Sequence, residues 1–380
     1  MIFFVIKRKM KNKYICSLNT SPMKKYLLPA LLLIAIRSFA QSAKNPGDLQ
    51  DKIFELKVKT VPPETLHLPF ESIKILDDRF DTSILGFRHN LVFGYSKIRL
   101  DPTVKEGIES FYNDYYHKNF TPNGKVLLIS IKKLWINNAP DQKAKAPGNG
   151  VDEVSKQDIY AKFEYYYGAE DSFSPVIRMD TIFHLTPEVN SVFDAKDESK
   201  LPFFCFALEK MLENINYDLY LRGIENKKKM SVDGIEKYNA GFMDIPVLKE
   251  PVKKGVFATF EEFKNNQPSI ISFRKRKLKN KIYELVDEKD NAILHYFAYY
   301  DGQNLVINKK GSRIFDGGSF HENYSMFRVN NTFQFFEDDS YSSPSVVVVT
   351  SGNYIIPVPT SNSRKVLVPR ELDLETGNIY

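Results

Sequence analysis

The sequence predicts an α+β protein: an N-terminal mixed or antiparallel sheet with two covering helices, followed by a β-rich C-terminal region with one short helix. Three observations predict it. Apolar residues alternate with polar ones in several runs before residue 190, two helices are read between residues 66 and 224 at about 104–115 and 199–215, and short aromatic or β-branched runs broken by turn pairs dominate after residue 255.

Within residues 45–224 the elements come in a readable order. SIKILDDRF (72–80) and KIRL (97–100) are strand-like. Asp101-Pro102-Thr103 then reads as a helix start, with Asp101 as the cap and proline in the first turn. Val104, Ile108, Phe111, Tyr112 and Tyr115 share one face of that helix, so it must lie on an apolar surface. KVLLISIKKLWI (125–136) supplies a strand, and a polar loop from Asn137 to Gly150 follows it. The next run turns Ile159, Ala161, Phe163 and Tyr165 inward and Tyr160, Lys162, Glu164 and Tyr166 outward. VIRMDTIFHL (176–185) repeats the alternation, with Arg178, Asp180 and His184 on the outer side. That pattern predicts a sheet covered on one side only, with the apolar segment SKLPFFCFALEKMLENI (199–215) as its main helical cover.

Residues 225–254 lose periodicity and gain Lys, Gly and Pro, as a linker or irregular connection would. In residues 255–380, Thr259 followed by Glu262 predicts a capped short helix that Asn266 and Pro268 stop. KIYELVDE, AILHYFAYYDG, NLVINKK, YSMFRVN and NTFQFFE read as strands, with Asp301-Gly302 and Asn330-Asn331 as hairpin turns. SVVVV, KVLVP and ELDLETGNIY are expected to add edge strands.

The charge is distributed unevenly. The chain carries 53 Lys plus Arg against 47 Asp plus Glu, a formal net charge of +6. Residues 1–40 contain eight basic and no acidic side chains, so the remainder holds 45 basic against 47 acidic. The positive excess therefore belongs to the leader, which argues against a generally basic nucleic-acid-binding protein. Residues 23–41, MKKYLLPALLLIAIRSFAQ, have the layout of a secretory signal peptide: Lys24 and Lys25, an apolar run from Tyr26 to Ile36, then small Ser38 and Ala40. The run falls short of the roughly 20 residues a spanning helix needs. We expect translation to start at Met23, residues 23–40 to be removed as a signal peptide, and the mature chain to be periplasmic or secreted, without a transmembrane segment. Cys205 is then its lone cysteine, read as a packing residue within an apolar helix.

The stretch GVFATFEEFKNNQPS (255–269), with YYDGQNLVIN (299–308) and MFRVNNTFQFFE (326–337), resembles uncharacterised exported proteins of Bacteroidota. The shared pattern is a Gly, an aromatic, a Thr- or Ser-capped helix ending Asn-x-x-Pro, then strand-Asp-Gly-strand, over about 80 residues. The resemblance implies export and a β-rich C-terminal region and carries no activity. In element order alone, residues 66–224 are similar to periplasmic α/β domains of transport-auxiliary proteins.

No nucleotide-binding, serine-hydrolase, zinc-protease, CxxC or EF-hand signature is present. No catalytic residue, metal ligand or cofactor is therefore assigned. Asp77, Asp78 and Asp81, and Glu337, Asp338 and Asp339, lack the spaced ligand series of a calcium loop and read as caps and turns. RKRKLKNK (274–281) spreads its cations over both faces of a strand and reads as a guarded sheet edge. Two functional readings remain. The first is a non-enzymatic envelope protein that binds a protein or glycan partner through outward aromatics, with Tyr160, Tyr166, Tyr299 and Tyr300 as the contact residues. The alternative is a hydrolase with a site between the two regions, using Asp78 or Asp180 with His184 as acid and base.

The leader makes one direct prediction. N-terminal sequencing of the exported product is expected to begin at Gln41; a product retaining Lys24 and Lys25 would show that this segment is not removed.

Overall fold

A mixed sheet of seven strands forms the first half of the fold, because its long central strand pairs in both directions. The computed structural model describes residues 45–56, 62–90, 94–140, 155–184, 201–277, 283–315, 318–351 and 354–380. The leader, residues 1–40, lies outside them. The first-sheet strands are β1 (Asp51–Phe54), β2 (Ser72–Asp77), β3 (Gly86–Asn90), β4 (Gly94–Leu100), β5 (Val126–Pro140), β6 (Ser155–Ala169) and β7 (Ser172–His184). The order is β1-β4-β3-β5-β6-β7, with β2 also on β5. Pairs β1–β4, β2–β5 and β3–β5 are parallel; β3–β4, β5–β6 and β6–β7 are antiparallel.

The inner face carries the main core. Ile159, Ala161, Phe163 and Tyr165 of β6 point into it, together with Ile129 and Ile131 of β5. Helix α1 (Val104–Tyr115) buries Val104, Ile108, Phe111, Tyr112 and Tyr115 against it. Its cap is Thr103, in a capping box with Glu106, two residues beyond the predicted Asp101. Helix α2 (Pro202–Glu213) is the second cover. Buried tyrosines fix its height: Tyr112 Oη donates to Leu208 O at 2.8 Å and Tyr165 Oη to Met211 O at 2.7 Å. Burial pushes the Cys205 thiol up to about 12, which leaves it an unreactive packing group on this helix.

The segment read as a linker or irregular connection, residues 225–254, carries two of the helices. Short α3 (Tyr217–Tyr220) leads to α4 (Val232–Phe242), capped by Ser231, and α5 (Pro246–Lys249). Strand β8 (Gly255–Phe257), helix α6 (Phe260–Lys264) and hairpin strands β9 (Arg274–Lys277) and β10 (Tyr283–Val286) follow. Then come β11 (Ala298–Tyr300), β12 (Leu305–Phe315), β13 (Gly318–Val329), β14 (Thr332–Ser351) and β15 (Tyr354–Leu372). The six-stranded sheet has the order β15-β14-β13-β12-β11-β8, and β9–β10 form a separate two-stranded ribbon. Asp301 Oδ1 accepts from Gln303 N and Asn304 N and so builds the β11–β12 turn, with Gly302 at φ +98°. Asn330, at φ +52°, serves the β13–β14 turn in the same way. In the ribbon Arg274 pairs with Asp290, Lys275 with Asp301 and Arg276 with Glu284, so these cations are neutralised locally.

Six helices and fifteen strands are thus present among the described residues, a mixed α+β fold rich in strand. None of those helices is long and apolar enough to cross a membrane. Residues Ala43–Tyr380 gather into one compact unit. Covering the first sheet on one side only proves incorrect. Its outer face is closed by α4 through Ile235, packed with Leu76, Leu128, Tyr166 and Phe173, and by Val368 and Tyr380 beside Trp135 and Tyr160. The alternation misled because lysines and tyrosines look outward in a sequence even when other chain covers them.

Gly86 holds β3 against β5. Its φ is +135°, and a Cβ there would stand 2.1 Å from Ile136 O. Gly86→Ala is expected to lower unfolding stability by about 2–4 kcal/mol in a denaturant titration, through backbone strain plus steric displacement of β5. A loss below about 0.5 kcal/mol would show that the strand pair yields there without cost.

Candidate functional site

The sheet's outer face is where the sequence puts charge, and the structure brings it against charge of opposite sign. Residues 373–380 fold back from β15, and Glu371 exchanges backbone hydrogen bonds with Tyr380 in both directions at 3.0 Å. This tail lies across β5 and β6. Lys133 Nζ is 3.0 Å from Asp373 Oδ2 and 3.3 Å from the Tyr380 ring centroid. Asp373 also accepts from Thr376 Oγ1 at 2.9 Å and Tyr380 Oη at 3.2 Å. Lys162 pairs with Glu375, which Arg178 Nη2 also approaches at 3.4 Å. Burial lowers the Lys133 ammonium from its ordinary range, while Asp373 pulls it back up. Burial pushes the Asp373 carboxyl up, yet Lys133 and the local donors outweigh it and hold the group low.

A second cluster sits at the end of β2. Arg79, almost fully buried, grips Asp77 with Nε at 2.7 Å and Nη2 at 2.8 Å, and Nη1 donates to Ile84 O at 2.7 Å. Asp78 Oδ2 accepts from Ser130 Oγ at 2.6 Å and from Asn239 Nδ2 of α4 at 2.5 Å. Asp81 Oδ1 accepts from Ser83 N and Oγ, and Asn330 Nδ2 reaches it from the β13–β14 turn at 3.3 Å. Two small cavities lie along this seam. One is lined by Arg79, Asp81, Lys133, Glu371 and Asp373, the other by Asp78, Lys132, Lys162, Glu164, Asn239 and Phe242. Each is about 40 Å³, room for an ordered water rather than an enclosed substrate.

The tyrosines chosen from sequence fall in covered places. Tyr166 is buried, and its hydroxyl donates to Glu164 Oε2 at 3.0 Å. Tyr160 meets Tyr380 edge-on at 4.5 Å between centroids. Tyr299 is buried against Phe273 and Tyr296 under the β9–β10 ribbon. Tyr300 is half-buried, and its hydroxyl donates to Gly302 O. They do not form an exposed aromatic row: Tyr160 lies against the tail, Tyr166 under α4 and Tyr299 under the ribbon, and Tyr300 packs against the core of the second sheet.

The acid/base set is not brought together. His184 Nδ1 lies 2.7 Å from Asp158 Oδ1, a partner directly across β6 that the sequence did not reveal. Asp78 is bound beside Ser130, whose cross-strand neighbour on β6 is Glu164, six positions from Asp158. Six strand residues span about 20 Å, so Asp78 and His184 cannot exchange a proton directly. Asp180 is exposed opposite Lys162 and stands about 13 Å along the strand from His184. Among the described residues no group of three or more His, Cys, Asp or Glu is arranged to hold a metal ion. Glu337, the first residue of the second acidic cluster, is instead engaged by Arg370 at 2.7 Å and by Lys309.

Sequence reading missed Tyr238 and Phe242. They are four residues apart on α4, both more than half exposed, and meet edge-on at 5.0 Å. Lys132 Nζ lies 5.6 Å from the Phe242 ring, and both side chains line the second cavity. The signal was present as Tyr-x-x-x-Phe, and it was lost because residues 225–254 read as irregular.

Lys133→Met would leave the Asp373 carboxylate in the seam without its cation. We expect a stability loss of about 2–4 kcal/mol by chemical denaturation, larger than for exposed Lys237→Met, which should stay within about 0.5 kcal/mol. Equal effects would show that the seam pair is no better than a surface ion pair. Set beside known proteins, the chain matches no family model, no curated protein and no solved structure.

Proposed function

We propose that this chain is a non-catalytic binding protein of the cell envelope, periplasmic or released, that contacts a glycan at the mouth of the seam beside α4. The single observation that carries the reading is the exposed Tyr238–Phe242 pair next to a polar, ion-paired cleft. An aromatic face offers contact area to the C–H side of a sugar at small entropic cost, while Lys132, Glu164 and Arg178 supply donors and acceptors for hydroxyl groups. The leader and the resemblance to exported Bacteroidota proteins support the compartment. The separation of Asp78 from His184 favours binding over hydrolysis at this seam. On this reading Tyr238 and Phe242 of residues 225–254 and the outer strand face of residues 45–224 together provide the contact face, and residues 255–380 supply the tail that closes its far side.

The test is co-sedimentation of the mature chain with isolated cell-wall sacculi and with insoluble envelope polysaccharide. Tyr238→Ala combined with Phe242→Ala should leave the melting curve nearly unchanged, because both rings are largely in water, and should reduce the bound fraction about tenfold. Equal sedimentation of variant and parent, or no sedimentation of the parent with either material, would overturn the glycan contact. Tyr160→Ala with Tyr166→Ala is expected to destabilise the fold instead, since both rings are packed under other chain.

A further inference from the structure

Gln334 of β14 is fully buried and sits directly opposite Glu371 of β15. Its side-chain Nε2 donates to Glu371 Oε2 at 3.2 Å and faces Thr332 Oγ1 at 3.5 Å. Its Oε1 has no hydrogen-bond partner. A buried acceptor left bare is costly, so a donor is wanted at that point. The nearby cations are engaged elsewhere: Lys133 of β5 with Asp373 and the Tyr380 ring, Arg79 with Asp77 and the Ile84 carbonyl. Two carboxylates also act on Glu371, Asp81 from the loop after β2 and Asp373 from the tail.

We infer that Glu371 stands as a neutral carboxylic acid in the native seam, paired through two hydrogen bonds with the Gln334 amide, and that losing its proton loosens the tail at residues 371–380. An acid and a primary amide are complementary in this respect. The amide N–H donates to the acid carbonyl, and the acid O–H donates to the amide oxygen that is otherwise bare. Ionisation removes the second bond and sets a negative charge beside Asp81 in a buried site. Burial, then Asp81, raises the Glu371 carboxyl to about 8, while Lys133 and the Gln334 bond oppose that rise without cancelling it. The unfolded chain releases this proton near the ordinary 4.5 and the folded chain near 8, so the stabilising contribution is complete below 4.5 and is lost as pH rises through about 8. The tail responds because Glu371 is the residue whose backbone pairs with Tyr380, and Tyr380 carries Lys133 on its ring.

The experiment is thermal unfolding of the mature chain between about pH 6 and about pH 9, for the parent and for Glu371→Gln, whose amide can donate to Gln334 at any pH. The parent midpoint should fall by several degrees over this range, and Glu371→Gln should lose most of that fall and melt at or above the parent at the alkaline end. Backbone exchange at Glu371 and Tyr380, corrected for the intrinsic pH dependence, should accelerate in the parent alone. Parallel curves for the two proteins, or a parent that does not respond, would overturn the inference. Should Glu371→Gln fail to fold, the carboxyl carbon resonance of Glu371 in the parent decides: a midpoint near 8 supports the neutral acid and one near 4.5 refutes it.

Discussion

The fold depends on the closure of one sheet face by a charged tail. The outer side of β5 and β6 presents Lys132, Lys133, Lys162 and Glu164, which on an open sheet would sit in water. Here Asp373 and Glu375 meet Lys133 and Lys162, and the Tyr380 ring lies between Lys133 and Tyr160. Partly buried ion pairs of this kind gain little over an apolar seam of the same shape, because desolvation offsets much of the attraction. Their consequence is selectivity: Leu374 is buried in the second core while Asp373 and Glu375 on either side of it meet the lysines, so a displaced tail would lose both ion pairs together.

Closure by charge also explains where apolar packing is placed. The inner core is dense in fully buried rings, among them Phe54, Phe70, Phe163 and Phe204, each contributing about 1.5–3 kcal/mol by area. On the outer side the apolar contacts split into two smaller groups, one around Ile235 of α4 and one around Trp135, with the ionic strip between them. The two groups hold the ends, and the strip fills the middle with hydrogen-bonded polar atoms. The small cavities and the exposed α4 rings both lie along this strip.

Much of the fold was legible because its signals are local. The period of two in 159–165 named the core-facing residues of β6 correctly, and the face formed by Val104, Ile108 and Phe111 is the buried side of α1. Thr259 caps α6 as read, although Glu262 turns back to the amide of Ala258 rather than that of Thr259. The site was less legible because it is made by register and long-range return. Asp158 reaches His184 only because β6 and β7 pair as they do, and Asp373 reaches Lys133 across 240 positions of sequence. A lysine or tyrosine at an outward position carries no mark of whether another segment will cover it, and here one did.

The same covering changes what the outward tyrosines can be. Tyr160 and Tyr166 keep the strand positions the alternation assigns them, but each hands its exposed role to chain that arrives later, Tyr380 in one case and α4 in the other. Aromatic surface is then displaced outward by one layer, onto Tyr238 and Phe242 of the covering helix. An aromatic pair carried on a helix has a property a sheet face lacks: its spacing of four residues is set by the helical turn, independent of strand register. Asn239, between them in sequence, is tied to Asp78 and Ser130 from the buried side. The helix is therefore tied to the sheet beneath it through Asn239, which bonds both Asp78 and Ser130, and through Ile235, while Tyr238 and Phe242 each keep more than half of their surface in water beside the seam.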